Sequence, residues 1–505
     1  MAGGYNRRVR TPTILDRLSG TIALALVAWL IARTAWISDD AFITLRTLEN
    51  ALSGHGLRYN IAERVQAYTH PLWLALLALP YAATREPWMT TMAVGAATSL
   101  AAVGALWRQA DSGRVLLAAV LLLAASKAWV DYTTSGLENP LLWLLLAGFA
   151  AELFREPHPR GPALVLLASA IGLTRLDALL IVVPALGVAG HAAWRRGDRQ
   201  AVLTAQVGWL PLLAWHAATL IYYGALFPNT AWAKLGTGLS TIDLAAQSLH
   251  YFGWTLAHDP ATLVALAAGL VLGGARREPR AVALAIGALL YLLYVVRIGG
   301  DFMAGRFFTA PLWVAVLLVL RRPMGRALPA ISAVVVVLSL LSPHSPLRAG
   351  PSYARADSAY GVVDERGYFW SGTGWWTGRT RRRPTHPFAR AGAKAGDRTV
   401  VVKSVVGLYA YYAGPKIFVV DRLGLTDPLT SRMPREPGAH WRIGHVRRTL
   451  PDGYTDSVAR GANLLPPGPA HELYDAVRLA TRGPLWTWSR WRAIVALHMG
   501  SLTVP

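Results

Sequence analysis

Two adjacent acids, Asp39 and Asp40, stand in the segment Ile37-Ser38-Asp39-Asp40-Ala41-Phe42, at the end of the first long apolar run, Leu18 to Ile37. Carboxylates beside hydrocarbon are costly to desolvate, so they call for water, a cation or a reaction that uses them. Such a pair can remove a hydroxyl proton, attack as a nucleophile or steady a developing cation. The plain alternative is a solvated helix end.

The elements that must hold this pair are apolar. The chain has 505 residues, a mean hydropathy of +0.34, 53% hydrophobic residues and only 15% charged ones, a composition that requires a membrane. Its net charge of +22 comes largely from arginines in short clusters between apolar runs, the pattern of the positive-inside rule. No basic helix interleaved with base-stacking aromatics precedes the C-terminal third, so nucleic acid is not an expected partner. The absence of cysteine excludes disulfides, thiolate metal sites and a cysteine nucleophile. Arg7, Arg8, Arg10 and Arg17 precede a first run long enough to span, which is expected to be retained rather than cleaved.

The clusters Arg195, Arg196 and Arg199; Arg276, Arg277 and Arg280; and Arg321, Arg322 and Arg326 mark cytoplasmic turns. Counting from them gives about eleven spans, some shorter than the usual ~20 residues, with the N-terminus inside and the C-terminus outside; twelve or more would require one of the basic turns to be external. Residues 71–83 are too short to cross comfortably and read as a re-entrant or interfacial helix. The expected fold is mainly α: a polytopic helical domain over 1–342, followed by an extracytoplasmic α/β domain over 343–505. The strand-like runs 399–406 and 416–420 suggest the latter.

This topology collects the polar motifs on the outer face. Beside Asp39 and Asp40 stand His70, Lys127, Glu138, Asn139, Arg175, Asp177, Asn229, Lys234, Asp301 and Arg306, all candidates for substrate contact. Nucleotide-binding signatures are missing, which suits an activated donor carried on a lipid. The cations Lys127, Arg175, Lys234, Arg297 and Arg306 would meet a lipid phosphate at membrane depth. Singly, each reads as a snorkelling helix-end residue. His70 and Glu138 can also be helix-start residues, Asp177 can pair locally with Arg175, and the glycines before Asp301 also suit a tight turn. Metal ligation has no spacing signature here, and a divalent cation stays open as a possible cofactor. In the C-terminal part, Trp370, Trp375, Trp376, Trp441, Trp486, Trp488 and Trp491 suit sugar stacking, core packing or membrane contact. Asp421 and Asp427 follow the second strand-like run, and Arg379, Arg381, Arg382 and Arg383 suit anionic envelope material or solvent.

Five separated motifs are similar to those of the actinobacterial AftB-type arabinofuranosyltransferases. They are the Asp39-Asp40 segment with Gly56-Leu57-Arg58-Tyr59-Asn60, then Gln66-Ala67-Tyr68-Thr69-His70-Pro71-Leu72-Trp73, Ser135-Gly136-Leu137-Glu138-Asn139-Pro140-Leu141 and Gly299-Gly300-Asp301-Phe302-Met303. Phe227-Pro228-Asn229-Thr230 and Asp421-Arg422-Leu423-Gly424-Leu425-Thr426-Asp427 resemble the same group, and the likeness runs to about residue 430. It implies a GT-C type membrane glycosyltransferase in the plasma membrane with its site on the periplasmic side. The implied donor is decaprenyl-phosphoryl-arabinofuranose. The implied acceptor is the arabinan of arabinogalactan and lipoarabinomannan, extended through terminal β-(1→2) linkages. The acid after the first span is the implied catalytic carboxylate, with Asp39 slightly preferred and Asp40 as its partner. Inverting and retaining courses both remain compatible. A transferase using another polyprenyl-phosphate sugar, such as mannose, is the nearest alternative. A lipid or polymer transporter is more distant, since the chain has no internal repeat and its charges lie at span ends.

Overall fold

The computed structural model describes residues 13–275, 278–321, 325–348, 360–378, 383–397 and 399–504. Arg7, Arg8, Arg10, Arg276, Arg277, Arg322, Arg379, Arg381 and Arg382, on which expectations above rest, lie outside these residues.

The chain is mostly helical. From the N-terminus run α1 (Ile14–Thr34), α2 (Ala41–Leu52), α3 (Pro71–Thr84), α4 (Pro87–Gln109), α5 (Gly113–Ala125) and α6 (Lys127–Asp131). Next come α7 (Asn139–Leu153), α8 (Gly161–Thr174), α9 (Leu179–Arg195), α10 (Arg199–Ala205), α11 (Leu210–Tyr223) and α12 (Asn229–Leu235). The apolar part ends with α13 (Thr241–His258), α14 (Pro260–Gly274), α15 (Pro279–Arg297), α16 (Thr309–Leu320) and α17 (Ala327–Leu341). Beyond it are α18 (Glu365–Thr373), α19 (Trp375–Gly378), α20 (Pro387–Ala393), α21 (Leu408–Ala413), α22 (Tyr454–Arg460), α23 (Pro469–Arg482) and α24 (Trp488–His498).

Local chemistry sets many of these boundaries. Thr13 and Asp16 form a reciprocal capping box at α1, and Glu86 accepts three backbone amides at the start of α4. Proline in the first turn opens α3, α4, α7, α8, α14 and α15, where its missing N–H costs nothing.

Apolar helices follow one another, among the described residues, from α1 to α17 between the basic turns. Among the described residues, α1, α4, α15 and the run Leu176–Arg195 are long and apolar enough to cross a membrane individually, and α13 with α14, bent by 104°, makes a fifth if taken as one span. The shorter apolar helices include α3, the segment expected to be re-entrant. The protein is therefore a multi-pass membrane protein.

The C-terminal third holds a two-stranded parallel sheet, β1 (Val400–Lys403) on β2 (Phe418–Asp421), with Val400 opposite Phe418 and α21 in the crossover. It does not pack alone. One core joins Trp36, Phe42 and Trp73 with Phe369, Trp370 and Leu408, and another joins Ile43 and Tyr59 with Val401, Tyr409 and Val419.

Candidate active site

The acidic loop between α1 and α2 is held from both sides. Trp36 donates its indole N–H to the Asp131 carbonyl at 2.6 Å, and the Ser38 amide donates to the Ser135 carbonyl at 2.9 Å. From the C-terminal part, the amides of Gly407 and Leu408 donate to Asp39 Oδ2 at 3.0 Å and Oδ1 at 2.7 Å. A Cβ at Gly407 would stand 1.8 Å from the Asp39 carbonyl oxygen, so only glycine allows this approach. Burial pushes the Asp39 carboxyl up to about 7; the two amides oppose the rise and the charge of Asp40 adds to it.

Asp40, the next residue, points elsewhere. It lines a cavity of about 480 Å³ with His70, Arg175, Asp177, Lys234, Asp301 and Arg306. The remaining wall is largely apolar and includes Leu173, Leu212, Trp215, Leu226, Phe227 and Ile298. Burial raises the Asp40 carboxyl above the usual carboxylate range, against the pull of Lys234 and then Arg306. The preference for Asp39 thus meets a geometric objection, because both its oxygens are spent on backbone amides while Asp40 faces open space.

Glu138 gathers the cations behind the cavity. Arg175 Nη1 lies 2.9 Å and Arg306 Nη2 3.0 Å from its Oε1, and His70 Nδ1 lies 3.0 Å from its Oε2. Burial alone would raise this carboxyl; Arg306, His70 and Arg175 together outweigh it and hold Glu138 well below the usual range. Arg175 also grips Asp177 through both oxygens, at 3.1 and 2.6 Å. His70 Nε2 lies 2.8 Å from Thr44 Oγ1, and its side chain makes no cap to α3.

Asp301 sits in the turn after α15. Its Oδ1 accepts the Phe302 amide at 2.9 Å, and its buried Oδ2 has no hydrogen-bond partner, with Arg306 Nη1 3.9 Å away. Gly300 has φ +75, and a Cβ there would strike the Tyr251 ring, so the turn that aims Asp301 depends on glycine.

Three expected contact residues lie off the cavity. Asn229 spends its amide on the carbonyls of Gly424 at 2.7 Å and Asp427 at 3.1 Å, locking α12 to the turn after β2. Asn139 donates to Thr309 Oγ1 at 2.9 Å, joining α7 to α16. Lys127 is buried in an ion-pair cluster with Asp131 and Asp364, to which Arg366 adds a 2.9 Å contact with Asp131. Each is hydrogen-bonded or ion-paired to protein groups away from the cavity wall. Glu138 is absent from the lining as well, while its partners His70, Arg175 and Arg306 belong to it. Asp421 and Asp427 close turns, the first accepting the amides of Leu423 and Thr426 and the second those of Leu429 and Thr430.

The sequence reading missed Glu365 at the start of α18. The Val363 amide bonds to the Phe302 carbonyl at 2.7 Å and brings the Glu365 segment beside the Asp301 turn. Glu365 is 7% exposed, and burial, reinforced by Asp40 and offset by Arg442, raises its carboxyl well above the usual range. Trp215 and Tyr294, also lining the cavity, were missed because an aromatic in an apolar run carries no separate signal.

Among the described residues no group of three or more His, Cys, Asp or Glu side chains is placed to hold a metal ion. Glu138 and Asp177 are paired with guanidinium groups rather than with one another.

The polytopic helical bundle carries carboxylates and cations around a cavity, and likeness to two curated transferases makes the protein a membrane glycosyltransferase. It is homologous to two curated proteins named terminal β-(1→2)-arabinofuranosyltransferase. The protein from Mycobacterium tuberculosis is 28% identical, the match covering 86% of this chain and 84% of that one. The protein from Corynebacterium glutamicum is also 28% identical, over 84% of this chain and 75% of its own. The resemblance to the AftB-type arabinofuranosyltransferases thus extends along most of the chain. No protein-family model matches it. Among solved structures, the crystal structure of ArnT from Cupriavidus metallidurans bound to undecaprenyl phosphate aligns with a TM-score of 0.46 at 15% identity, covering 82% of this chain and 76% of that one.

Proposed function

We propose that the protein transfers arabinofuranose from decaprenyl-phosphoryl-arabinose to terminal β-(1→2) positions of a cell-wall arabinan, from a periplasmic face. The observation that carries this reading is the cavity itself. Asp40 faces it together with Lys234 and Arg306, and the rest of its wall is largely apolar, as a lipid needs.

In this mechanism the bond between the anomeric carbon and the phosphate oxygen breaks, and the lipid phosphate leaves with the electron pair. The new bond forms from the acceptor hydroxyl oxygen to the same carbon, and the hydroxyl proton passes to Asp40. The raised carboxyl of Asp40 makes it a stronger base than an exposed aspartate. Lys234 and Arg306 stabilise the departing phosphate in a site where water is scarce. Asp301, with one oxygen unpaired, binds sugar hydroxyls. Asp39 is a positioning residue, fixing the loop through the Gly407 and Leu408 amides.

The proposed topology is eleven spans with residues 343–505 outside. Leu425 and Ile443 line the cavity, so the outer part completes the catalytic centre rather than standing apart from it.

The test is purified protein in nanodiscs with radiolabelled decaprenyl-phosphoryl-arabinose and a short arabinan acceptor. Arabinose transfer with release of polyprenyl phosphate supports the reading. Transfer only from a mannosyl donor, or movement of intact lipid without bond cleavage, overturns it. A covalent arabinosyl adduct on Asp40, seen by mass spectrometry, would replace the base role with a nucleophilic one.

A further inference from the structure

The last helix, α24, carries apolar residues on both its buried and its exposed side. Its inner face buries Ala493, Ile494 and Leu497 against the rest of the protein. Its outer face presents Trp488 at 72% exposure, Val495 at 58% and Met499 at 78%, and Trp486 just before the helix is 74% exposed. Positions 488, 492, 495 and 499 fall on one stripe of a 3.6-residue helix, so these side chains form a continuous surface with Arg492 among them. Large apolar side chains exposed along one stripe are better placed in a non-aqueous covering than in water.

Its neighbour shows what a water-facing helix of this protein looks like. α23 packs against α24, buries Leu473, Tyr474 and Val477, and exposes Glu472 and Asp475. Residues 485–499, by contrast, contain no acid at all.

The position of α24 identifies the covering. Arg490 donates to the Tyr222 carbonyl at 3.2 Å, and Ile494 abuts Gly224, so the helix rests on the C-terminal end of α11. The α10–α11 run below it exposes Leu203, Val207, Leu210 and Leu213, between 57% and 63% each. α24 thus sits at the end of a run that exposes four large apolar side chains.

We propose that α24, with Trp486, lies in the plane of the membrane–water interface and anchors the C-terminal part of the protein to the bilayer. Indole rings favour this zone, where an apolar body and a polar N–H are both satisfied. Arg492 reaches from the stripe to the lipid headgroups while its stem stays in the apolar layer.

The absence of cysteine makes the test direct. Trp488→Cys and Val495→Cys, with Asp475→Cys as the reference on α23, are each given a nitroxide label. They are placed in nanodiscs of phosphatidylglycerol and phosphatidylethanolamine. We expect the labels at 488 and 495 to be relaxed more by oxygen than by a water-soluble nickel chelate, and the label at 475 to show the reverse. Nickel access at 488 and 495 equal to that at 475 overturns the proposal. Exclusion of both relaxers together with spin–spin broadening also overturns it, in favour of a second copy covering the face. If either variant fails to fold, Met499→Cys reads the same stripe.

Discussion

Leu408 donates its backbone amide to Asp39 at 2.7 Å, joining residues 369 positions apart. The neighbouring Gly407 amide takes the other carboxylate oxygen, and that leaves Asp40 as the acid of the pair that faces the cavity. The two adjacent carboxylates therefore have different surroundings.

Asparagine variants separate those roles. Asp40→Asn should lower transfer by about a thousandfold, the usual worth of a general base, with an unchanged thermal midpoint. Asp39→Asn turns a carboxamide N–H toward a backbone N–H, and should cost about 1–3 kcal/mol of stability. Turnover and thermal unfolding of both variants check this. Full transfer by Asp40→Asn contradicts the assignment.

The pH profile follows from the surroundings of Asp40. The carboxyl works as a base only when ionised, and burial has raised it, so the rate should climb with pH through a value above the usual carboxylate range. Lys234 opposes that rise, and removing its charge must push the carboxyl higher still. Lys234→Met should therefore move the acidic limb of the kcat profile to higher pH. A shift to lower pH would show that the two groups do not interact as described.

Glu138→Gln should be costly away from the reacting atoms. It leaves buried Arg175 and Arg306 without their shared anion, and breaking such a network by one partner costs about 3–5 kcal/mol. Arg175 retains Asp177, so the larger disturbance falls on Arg306, and the KM for the lipid donor should rise. Unfolding together with donor titration reads both effects.

Glycine at 407 can be tested against a harmless neighbour. Gly407→Ala places a methyl 1.8 Å from the Asp39 carbonyl oxygen and should displace the turn that holds this acid, abolishing most activity. Gly104, inside α4, has open space around its Cβ position, and Gly104→Ala should be neutral or stabilising by up to about 1 kcal/mol. Assaying the pair side by side controls for generic effects of substitution.

Much of this site was legible because its residues announce themselves by cost. Charged groups beside apolar runs stand out, and that singled out Asp40, His70, Glu138, Arg175, Lys234, Asp301 and Arg306. The same cue does not separate a group that meets substrate from one satisfied inside the protein. Asn229 and Lys127 look alike in sequence, yet their partners are carbonyls at 424–427 and the carboxylate of Asp364. The amides over Asp39 were invisible for a related reason, since any residue has a backbone N–H and nothing in the sequence marks Gly407 for this use. Glu365 was missed because a backbone pairing between Val363 and Phe302, not sequence proximity, carries it to the site. The helical segments were easier, since a run of apolar residues announces a helix without reference to its neighbours.

The carboxylate of Glu138 is shared by side chains that enter from separate loops. A buried charge balanced in this way ties the histories of His70, Glu138, Arg175 and Arg306 together, because losing one member leaves the others with an uncompensated cost. Drift at these positions should be concerted, with a change at one tolerated only in lineages that have already changed another. Among related chains these four residues should be inherited as a single character, even where the motifs around them have diverged.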